Sequence, residues 1–309
     1  MSDTQHIRLG TRASKLALWQ SNWVKAELER RGHSVELIRI KTLGDVKTGS
    51  LAQIGGQGLF TKQLQVALLG NEIDLGVHSL KDLPTEDCEG LSIAAIPPRE
   101  TTEDALCFPE GVSVNSLDEV AEGATIGTGS VRRAAQLRHL RPDLKIQDIR
   151  GNVDTRLEKL DAGVYDAIVL AAAGLTRLEL ADRIGFRFDQ NRLLPAVGQG
   201  ALGLEVRLDN EAVLSAVKEL NDPDSYAAAL AERAMLKRLF AGCLAPVGAR
   251  CGVVDGQLSL TGVVLSCDGT QRIEASQSAA PDAFAELGKS LAEKLIADGA
   301  DVLLSAAKA

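Results

Sequence analysis

Arginines cluster where two predicted strands give way to helices. The stretch "GTGSVRR" (127–133) follows a short apolar run and places Arg132 and Arg133 in the first turn of a predicted helix. The stretch "RGNVDTRL" (150–157) repeats the arrangement, with Arg150 before the next helix and Arg156 one turn into it. The N–H groups at a helix N-terminus favour an anion, and a guanidinium fork matches a carboxylate. The repeated pattern predicts an anion site; a solvated arginine pair is the alternative.

Two other strand ends carry polar residues. Arg12 and Ser14 in "GTRASKLAL" follow the first predicted strand, and "HSLKDLPT" (78–85) ends a later one with Ser79, Lys81 and Asp82. The carboxyl ends of parallel strands meet at one edge of a sheet, where α/β proteins bind ligands. A carboxylate at that edge can act as a general acid or base, or stabilise a cation. An ordinary turn is the alternative for Lys81 and Asp82, and position at the arginine edge favours the functional interpretation.

A cysteine occupies an unusual position in "LFAGCLAPVG" (239–248). Cys243 lies in a predicted loop between Gly242 and Pro246. Such a loop suits an attachment point or a nucleophile, although a small buried cysteine is the usual alternative. The sequence assigns the other four cysteines to packing. An odd number of scattered cysteines without a CxxC pair indicates reduced thiols in a cytoplasm.

Composition excludes several classes of protein. The net charge is -8 and aromatic residues make up 3% of the chain, which argues against a general nucleic-acid binder. The N-terminal residues lack the apolar segment of a secretory signal, and no run of about 18 apolar residues predicts a membrane span. Four histidines far apart in the sequence do not have the spacing of metal ligands.

Apolar periodicity predicts an α/β protein with three domains. Strands and helices alternate up to about residue 97 and again over 105–193, which predicts two mixed, mostly parallel sheets with helices on both faces. The segment "PRETTED" (98–104) reads as a polar connector. After residue 222 an Ala-rich helix and short alternating strands predict an α+β domain.

Five stretches in sequence order resemble the porphobilinogen deaminase family, also called hydroxymethylbilane synthases. They are "HSLKDLPT", "GTGSVRRAAQLRHLRPDL", "RGNVDTRL", "LPAVGQGALG" and "ERAMLKRLFAGC". The resemblance implies a dipyrromethane cofactor joined by a thioether to Cys243. It implies that four porphobilinogen molecules are condensed head to tail onto this primer, and that 1-hydroxymethylbilane is released by hydrolysis for haem and other tetrapyrroles.

The resemblance also implies roles for individual residues. Asp82 takes the position of the catalytic carboxylate. The positions that contact the acidic side chains of substrate and product are arginines: Arg12, Arg132, Arg133, Arg150, Arg156 and Arg177. The other positions that line the cleft are Ser14, Lys62, Ser79, Lys81, Thr128 and Ser130. The family usually has Lys at Gln57, Glu at Gln63 and Ser at Gly129.

The family pattern implies an architecture as well. Domains 1 and 2 are expected to resemble the two lobes of periplasmic binding proteins, with a smaller C-terminal α+β domain that carries Cys243. Domain 1 then comprises 1–99 with 200–217, domain 2 comprises 105–193 and domain 3 comprises 222–309. A monomer is expected, which could hand its product to the next enzyme of the pathway.

Two functions outside catalysis compete with this interpretation. A non-enzymatic two-lobed receptor for a small polycarboxylate would also need a basic cleft, but it would need neither Cys243 nor Asp82. A regulator with a ligand-binding domain is the third possibility, and no basic recognition helix stands out in the sequence.

Overall fold

The computed structural model describes residues 4–40, 61–241 and 245–307. Three positions discussed above, Gln57, Gly242 and Cys243, lie outside these residues. The chain divides into two compact units: Met1–Arg99 with Gly200–Tyr226, and Glu100–Gln199 with Ala227–Ala309.

The first unit is built on a five-stranded mixed sheet. Its elements in chain order are β1 (His6–Thr11), α1 (Lys15–Arg30), β2 (Ser34–Arg39), α2 (Lys62–Leu69), β3 (Leu75–Ser79), β4 (Leu91–Ala95), β10 (Leu202–Arg207) and α6 (Glu211–Lys218). The strand order is β2-β1-β3-β10-β4. β1 is parallel to β2 and β3, and β10 is antiparallel to β3 and β4. Four of the five strands therefore run in one direction.

Helices cover both faces of this sheet because the strands are apolar on both faces. Ile7 and Leu9 of β1 belong to one buried cluster with Val24 of α1 and Val217 of α6. Gly10 faces the other way, where an added Cβ would lie 2.9 Å from Leu64 of α2. The Ser14 side chain caps α1 by accepting a hydrogen bond from the Ala17 N–H, which stabilises the first turn.

The second unit contains a sheet with the same plan. Its elements are β5 (Asp104–Cys107), β6 (Thr125–Gly127), α3 (Val131–Leu140), β7 (Lys145–Gln147), α4 (Val153–Asp161), β8 (Ala167–Ala171), α5 (Ala172–Arg177) and β9 (Phe186–Arg187). The strand order is β7-β6-β8-β5-β9. β6 is parallel to both β7 and β8, whereas β5 is antiparallel to β8.

The same unit also contains the C-terminal α+β part. Its elements are α7 (Pro223–Arg238), which belongs to this unit from Ala227 onward, β11 (Val247–Val254), β12 (Gln257–Leu265), β13 (Arg272–Ala279), α8 (Phe284–Ala297) and α9 (Ala300–Ala306). The three strands form an antiparallel sheet. Asp255 and Gly256 join β11 to β12 with φ angles of 50° and 74°, as a two-residue hairpin requires. Met235 of α7 and Leu291 of α8 pack in one core with Leu260 of β12.

The turn after β12 lies against α3 within this unit. Gly269 has a φ of 79°, and an added Cβ would lie 2.7 Å from the Ala135 carbonyl oxygen. His139 Nδ1 lies 2.9 Å from the Gly269 carbonyl oxygen, and Arg138 donates to the carbonyl of Cys267 at 2.8 Å. A side chain at position 269 would therefore separate the two surfaces.

These sheets confirm the predicted fold class of two α/β parts and a smaller α+β part. Two sequence-based assignments were wrong. The segment 98–104 is not all connector, because Asp104 begins β5 with its side chain fully buried. Cys267 was assigned to packing but is exposed, because it lies in the turn that follows β12. Among the described residues, no helix is long and apolar enough to cross a membrane.

Helix α8 crosses α7 at Gly288, and this contact gives a test of the packing. A Cβ at Gly288 would lie 2.3 Å from the Ala231 carbonyl oxygen and 2.7 Å from the Ala234 Cβ. We expect Gly288→Ala to destabilise the protein by about 1–3 kcal/mol through overpacking, despite the better helix propensity of alanine. Urea unfolding of both proteins measures the difference.

Gly252, in β11 of the same C-terminal α+β part, provides the matched control. No atom of the described residues lies within 4 Å of a Cβ added there, so we expect Gly252→Ala to leave the midpoint nearly unchanged. A Gly288→Ala variant as stable as Gly252→Ala would contradict the close helix crossing.

Candidate functional site

In the first unit, β1 and β3 deliver polar residues to one edge of the sheet. These two strands are parallel neighbours, so Arg12 and Ser14 after β1 lie at the same edge as Ser79 at the end of β3. Asp82 ends a short 3-10 turn, Leu80–Asp82, that follows β3 directly. The topology of the first sheet therefore places these residues at one edge, and their role in a site stays a prediction.

Leu80 fixes the turn that carries Asp82. Its side chain is 1% exposed, and its N–H donates to the Ala201 carbonyl at 3.0 Å. Asp82 itself is half-buried. Its carboxylate makes no hydrogen bond or ion pair with another residue in the described part of the chain.

Ser79 is held by a residue that the sequence patterns did not single out. Gln20 of α1 is 3% exposed, and its Nε2 donates to Ser79 Oγ at 2.9 Å. Ser79 is thus held by a hydrogen bond to α1.

Lys62 is exposed at the start of α2 and makes no polar contact with any of the predicted site residues that the structure describes.

In the second unit, three parallel strands end at one edge. β6 lies between β7 and β8, so the arginines that follow these strands come to the same side of the sheet. Thr128 and Ser130 form the turn after β6: Thr128 Oγ1 accepts from the Ser130 N–H at 3.2 Å. Ser130 then caps α3 by accepting from the Arg133 N–H.

Arg132 and Arg133 are both buried and share one carboxylate. Arg132 Nη1 donates to Asp104 Oδ2 at 2.7 Å and to the Leu194 carbonyl at 2.6 Å. Arg133 donates to Asp104 Oδ1 from Nη2 at 2.7 Å and from Nε at 3.0 Å, and its Nη1 donates to the Val169 carbonyl at 2.9 Å. The alternative of a solvated arginine pair is therefore wrong.

Burial and charge act in opposite directions on this cluster. Burial alone would raise the pKa of Asp104, yet the two guanidinium groups outweigh it and hold that pKa well below its usual range. Burial lowers the pKa of Arg132, and Asp104 opposes part of the shift. Both groups stay charged at neutral pH, since an arginine deprotonates only far above it. Arg133 adds a second buried positive charge.

The remaining arginines of this edge differ in burial. Arg150 donates from Nε to Asp148 at 2.8 Å, and Arg156 donates from Nε to the Gly151 carbonyl at 2.7 Å; both are half-buried. Arg177 ends α5 after β8 and is 7% exposed. Burial lowers the pKa of Arg177 to about 10, and Glu100 opposes the shift. All three follow strands that end at the same edge as the Thr128 turn.

Gly129 has a structural reason to be glycine. A Cβ added at this position would lie 2.9 Å from the Ile149 carbonyl oxygen and 3.0 Å from Asp148 Oδ1. The turn after β6 therefore passes so close to the segment after β7 that a side chain there would force a shift of the backbone. In this structure the Ser that the family usually has at this position would require such a shift.

The segments on either side of Cys243 are anchored in the C-terminal core. Ala241 is buried, and its N–H donates to the Leu236 carbonyl. On the other side, Pro246 accepts a hydrogen bond from the Leu265 N–H at 3.1 Å. Cys243 itself lies outside the described residues.

Comparison with known proteins identifies the family. Residues 7–215 match the family model "Porphobilinogen deaminase, dipyromethane cofactor binding domain", and residues 226–297 match "Porphobilinogen deaminase, C-terminal domain". The porphobilinogen deaminase of Geobacter metallireducens is 48% identical over 304 residues, and that of Geobacter sulfurreducens is 49% identical over 302 residues; each match covers 97% of this chain and 94% of the relative. The chain belongs to the porphobilinogen deaminase family.

The solved structures that align with this chain are more distant in sequence. The crystal structure of the methionine binding protein MetQ is 15% identical, with a TM-score of 0.43 over 72% of this chain and 90% of that chain.

Membership of the porphobilinogen deaminase family confirms the predicted enzyme and its place in tetrapyrrole biosynthesis. It also confirms porphobilinogen as the substrate and dipyrromethane as the cofactor. The second unit fits the acidic side chains of this cofactor, because the buried Arg132 Nε has no partner among the described residues.

Asp104 was missed as a functional residue, although it joins the two predicted arginines. The available signal was weak: a single aspartate at the end of a polar run, next to an apolar tetrapeptide. Only the antiparallel course of β5 brings its first residue to the edge where β6 and β8 end.

The Asp104 carboxylate gives a pH-dependent prediction. Its pKa is lower in the folded chain than in the unfolded one, so its stabilising contribution is complete above the unfolded pKa of about 4 and is lost as the pH falls below it. We expect Asp104→Asn to lower the free energy of unfolding by about 3–5 kcal/mol at pH 7, because two buried charges lose their partner.

The difference between Asp104→Asn and wild type should shrink between about pH 4 and pH 2, the range in which the wild-type carboxylate begins to protonate on unfolding. Urea unfolding of both proteins at several pH values in and above this range measures it. An unchanged difference at the acid end would show that Asp104 does not stabilise the fold through its charge.

Proposed function

We propose that the enzyme condenses four porphobilinogen molecules head to tail on a dipyrromethane primer held by a thioether to Cys243. The product, 1-hydroxymethylbilane, is then released by hydrolysis while the primer stays on the protein. The observation that carries this proposal is the buried arginine pair at the end of β6, whose open Nε atom belongs to a group that binds carboxylates.

The arginines of the second unit hold the acidic side chains of cofactor and substrate. Arg132 and Arg133 are charged and buried, so water competes little with a bound carboxylate. Arg150, Arg156 and Arg177 add positive charge at the ends of the neighbouring strands. Thr128 and Ser130 fix the turn before α3 and add hydroxyl groups beside its N-terminus.

Asp82 carries the acid–base chemistry in this proposal. Its carboxylate assists the departure of ammonia from porphobilinogen and stabilises the positive charge of the azafulvene that remains. After the new carbon–carbon bond forms, it assists removal of the proton from the pyrrole carbon. Lys81, Ser79, Ser14 and Arg12 lie at the same edge of the first unit and orient the substrate; Lys62 is a more distant contact.

The cofactor supplies the carbon nucleophile to which the first substrate molecule is joined. Cys243 is the attachment point in this proposal. The thiol of Cys243 forms the thioether and takes no part in later steps.

We also propose that the enzyme is a monomer in the cytoplasm that hands its product to the next enzyme of the pathway. Among the described residues, Cys88, Cys107, Cys251 and Cys267 form no disulfide, which suits a reducing compartment. Sedimentation of the purified protein tests the oligomeric state.

The attachment point is tested by intact mass under denaturing conditions. We expect the wild-type chain to carry a covalent excess equal to two linked pyrrole units, and Cys243→Ser to have the bare mass. Cys267→Ser is the matched control, since Cys267 is an exposed thiol outside the site. A bare wild-type chain, even after incubation with porphobilinogen, would overturn the covalent primer.

The role of Asp82 is tested by Asp82→Asn. We expect this variant to fold with the wild-type melting temperature and to lose about 100-fold or more in kcat, the usual scale for a general acid–base. Asp87→Asn removes an exposed carboxylate five residues away and should keep the wild-type rate. Equal rates for both variants would exclude Asp82 from the chemistry.

A further inference from the structure

Asp104 lies at the ligand edge because β5 runs against its neighbours. β5 pairs antiparallel with β8 so that Asp104 lies opposite Ala171, the last residue of β8. The first residue of β5 thus lies where the parallel strands end. The Asp104 side chain is fully buried, so its charge interacts with the arginines at low effective dielectric.

The hydrogen bonds of Asp104 occupy both carboxylate oxygens. Oδ2 accepts from Arg132 Nη1 at 2.7 Å. Oδ1 accepts from Arg133 and also from Gln199 Nε2 at 2.9 Å. Gln199 Nε2 donates in addition to the Thr102 carbonyl at 2.7 Å. A carboxylate with this many donors has one orientation, and it fixes the groups that bind to it.

The hydrogen bonds that Arg132 makes with described residues lie on one side of its guanidinium group. Both hydrogens of Nη1 are used, by Asp104 and by the Leu194 carbonyl. Gln136 holds that carbonyl in place, since it donates to Leu194 O at 3.0 Å and accepts from Leu194 N at 2.8 Å. Arg132 Nε is buried without a hydrogen-bond partner among the described residues. The side-chain hydrogen bonds of Arg132 to described residues both come from Nη1, so Nη2 is left beside Nε for a ligand. These two atoms form the edge that binds a carboxylate with two parallel hydrogen bonds.

The charges of the cluster leave a positive excess. Two buried guanidinium groups face one buried carboxylate, so one positive charge has no counter-ion within the cluster formed by the described residues. Without Asp104 the excess would be two charges in a buried place, and both arginines would tend to move towards water. Asp104 therefore keeps the arginines buried without neutralising them.

We propose that Asp104 is a positioning residue, which fixes Arg132 by Nη1 so that its Nε–Nη2 edge binds a carboxylate of the dipyrromethane cofactor or of the substrate. This inference rests on the proposed function of the arginine cluster. It assigns to Asp104 a role in cofactor loading beyond its contribution to stability.

A second aspartate of the same chain serves as the matched control. Asp74, just before β3 in the first unit, also binds two arginines: Arg8 Nη2 lies 2.7 Å and Arg207 Nη2 lies 3.9 Å from its Oδ1. It lies at the amino end of the strands, opposite the edge of Asp82. Asp74→Asn should therefore disturb an Asp–Arg–Arg cluster without affecting the site.

The experiment compares wild type, Asp104→Asn, Asp104→Glu and Asp74→Asn as full-length proteins. Each is incubated with porphobilinogen, the fraction that carries the cofactor is followed by intact mass over time, and the melting temperature is recorded. We expect Asp104→Asn to load about 10- to 100-fold more slowly, the scale of one charge-assisted hydrogen bond. Asp74→Asn should load at the wild-type rate at a comparable loss of melting temperature.

Asp104→Glu separates positioning from packing. The longer side chain overpacks a buried site and should not restore the melting temperature, but it restores the charge and should recover loading relative to Asp104→Asn. If Asp104→Asn does not fold, Gln199→Leu replaces it, and we expect severalfold slower loading because one donor to Asp104 is lost.

Each outcome decides between the alternatives. Wild-type loading by Asp104→Asn, or loading that follows the melting temperature across all variants including Asp74→Asn, would overturn the positioning role and leave the proposed function intact. A wild-type chain that never acquires the cofactor would overturn the proposed function itself, and the inference with it.

Discussion

A single buried carboxylate holds the second unit together at its functional edge. Asp104 binds Arg132, Arg133 and Gln199, which come from a helix and from the segment before β10. A buried charge is strongly destabilising without a partner of opposite charge, and Asp104 is the partner that both arginines share. The geometry of β5, of α3 and of the segment around Leu194 is therefore coupled: none of them can shift without exposing or unpairing a charge.

The two α/β sheets share one topological feature at the edges that carry the candidate residues. In each, one strand runs antiparallel to its neighbours, so its first residues come to the edge where the parallel strands end. In the first unit this strand is β10, and Ala201 before it accepts the hydrogen bond that anchors Leu80 beside Asp82. In the second unit it is β5, whose first residue is Asp104. The chain thus places a fixed support next to each set of site residues.

The edge of the first-unit sheet and the edge of the second-unit sheet carry different chemical groups. The first presents a half-buried carboxylate without a partner among the described residues, which is suited to proton transfer and to a developing cation. The second presents buried arginines with a positive excess, which is suited to carboxylates that do not react. The proposed function uses both kinds of group.

The sequence by itself determined the elements, the family and most candidate residues, because these depend on local periodicity and on motifs that are contiguous in the chain. The strand ends before Arg12, Asp82, Arg132 and Arg150 were all readable from an apolar run followed by a turn. Tertiary structure decided the partners. Asp104 and Arg132 are 28 residues apart, and Gln20 and Ser79 are 59 apart; no local pattern joins them. Asp104 belongs to the predicted polar connector, but in the folded chain it is the counter-ion of the arginine pair. This pairing depends on strand order, on burial and on the antiparallel direction of β5, which are properties of the packed sheet.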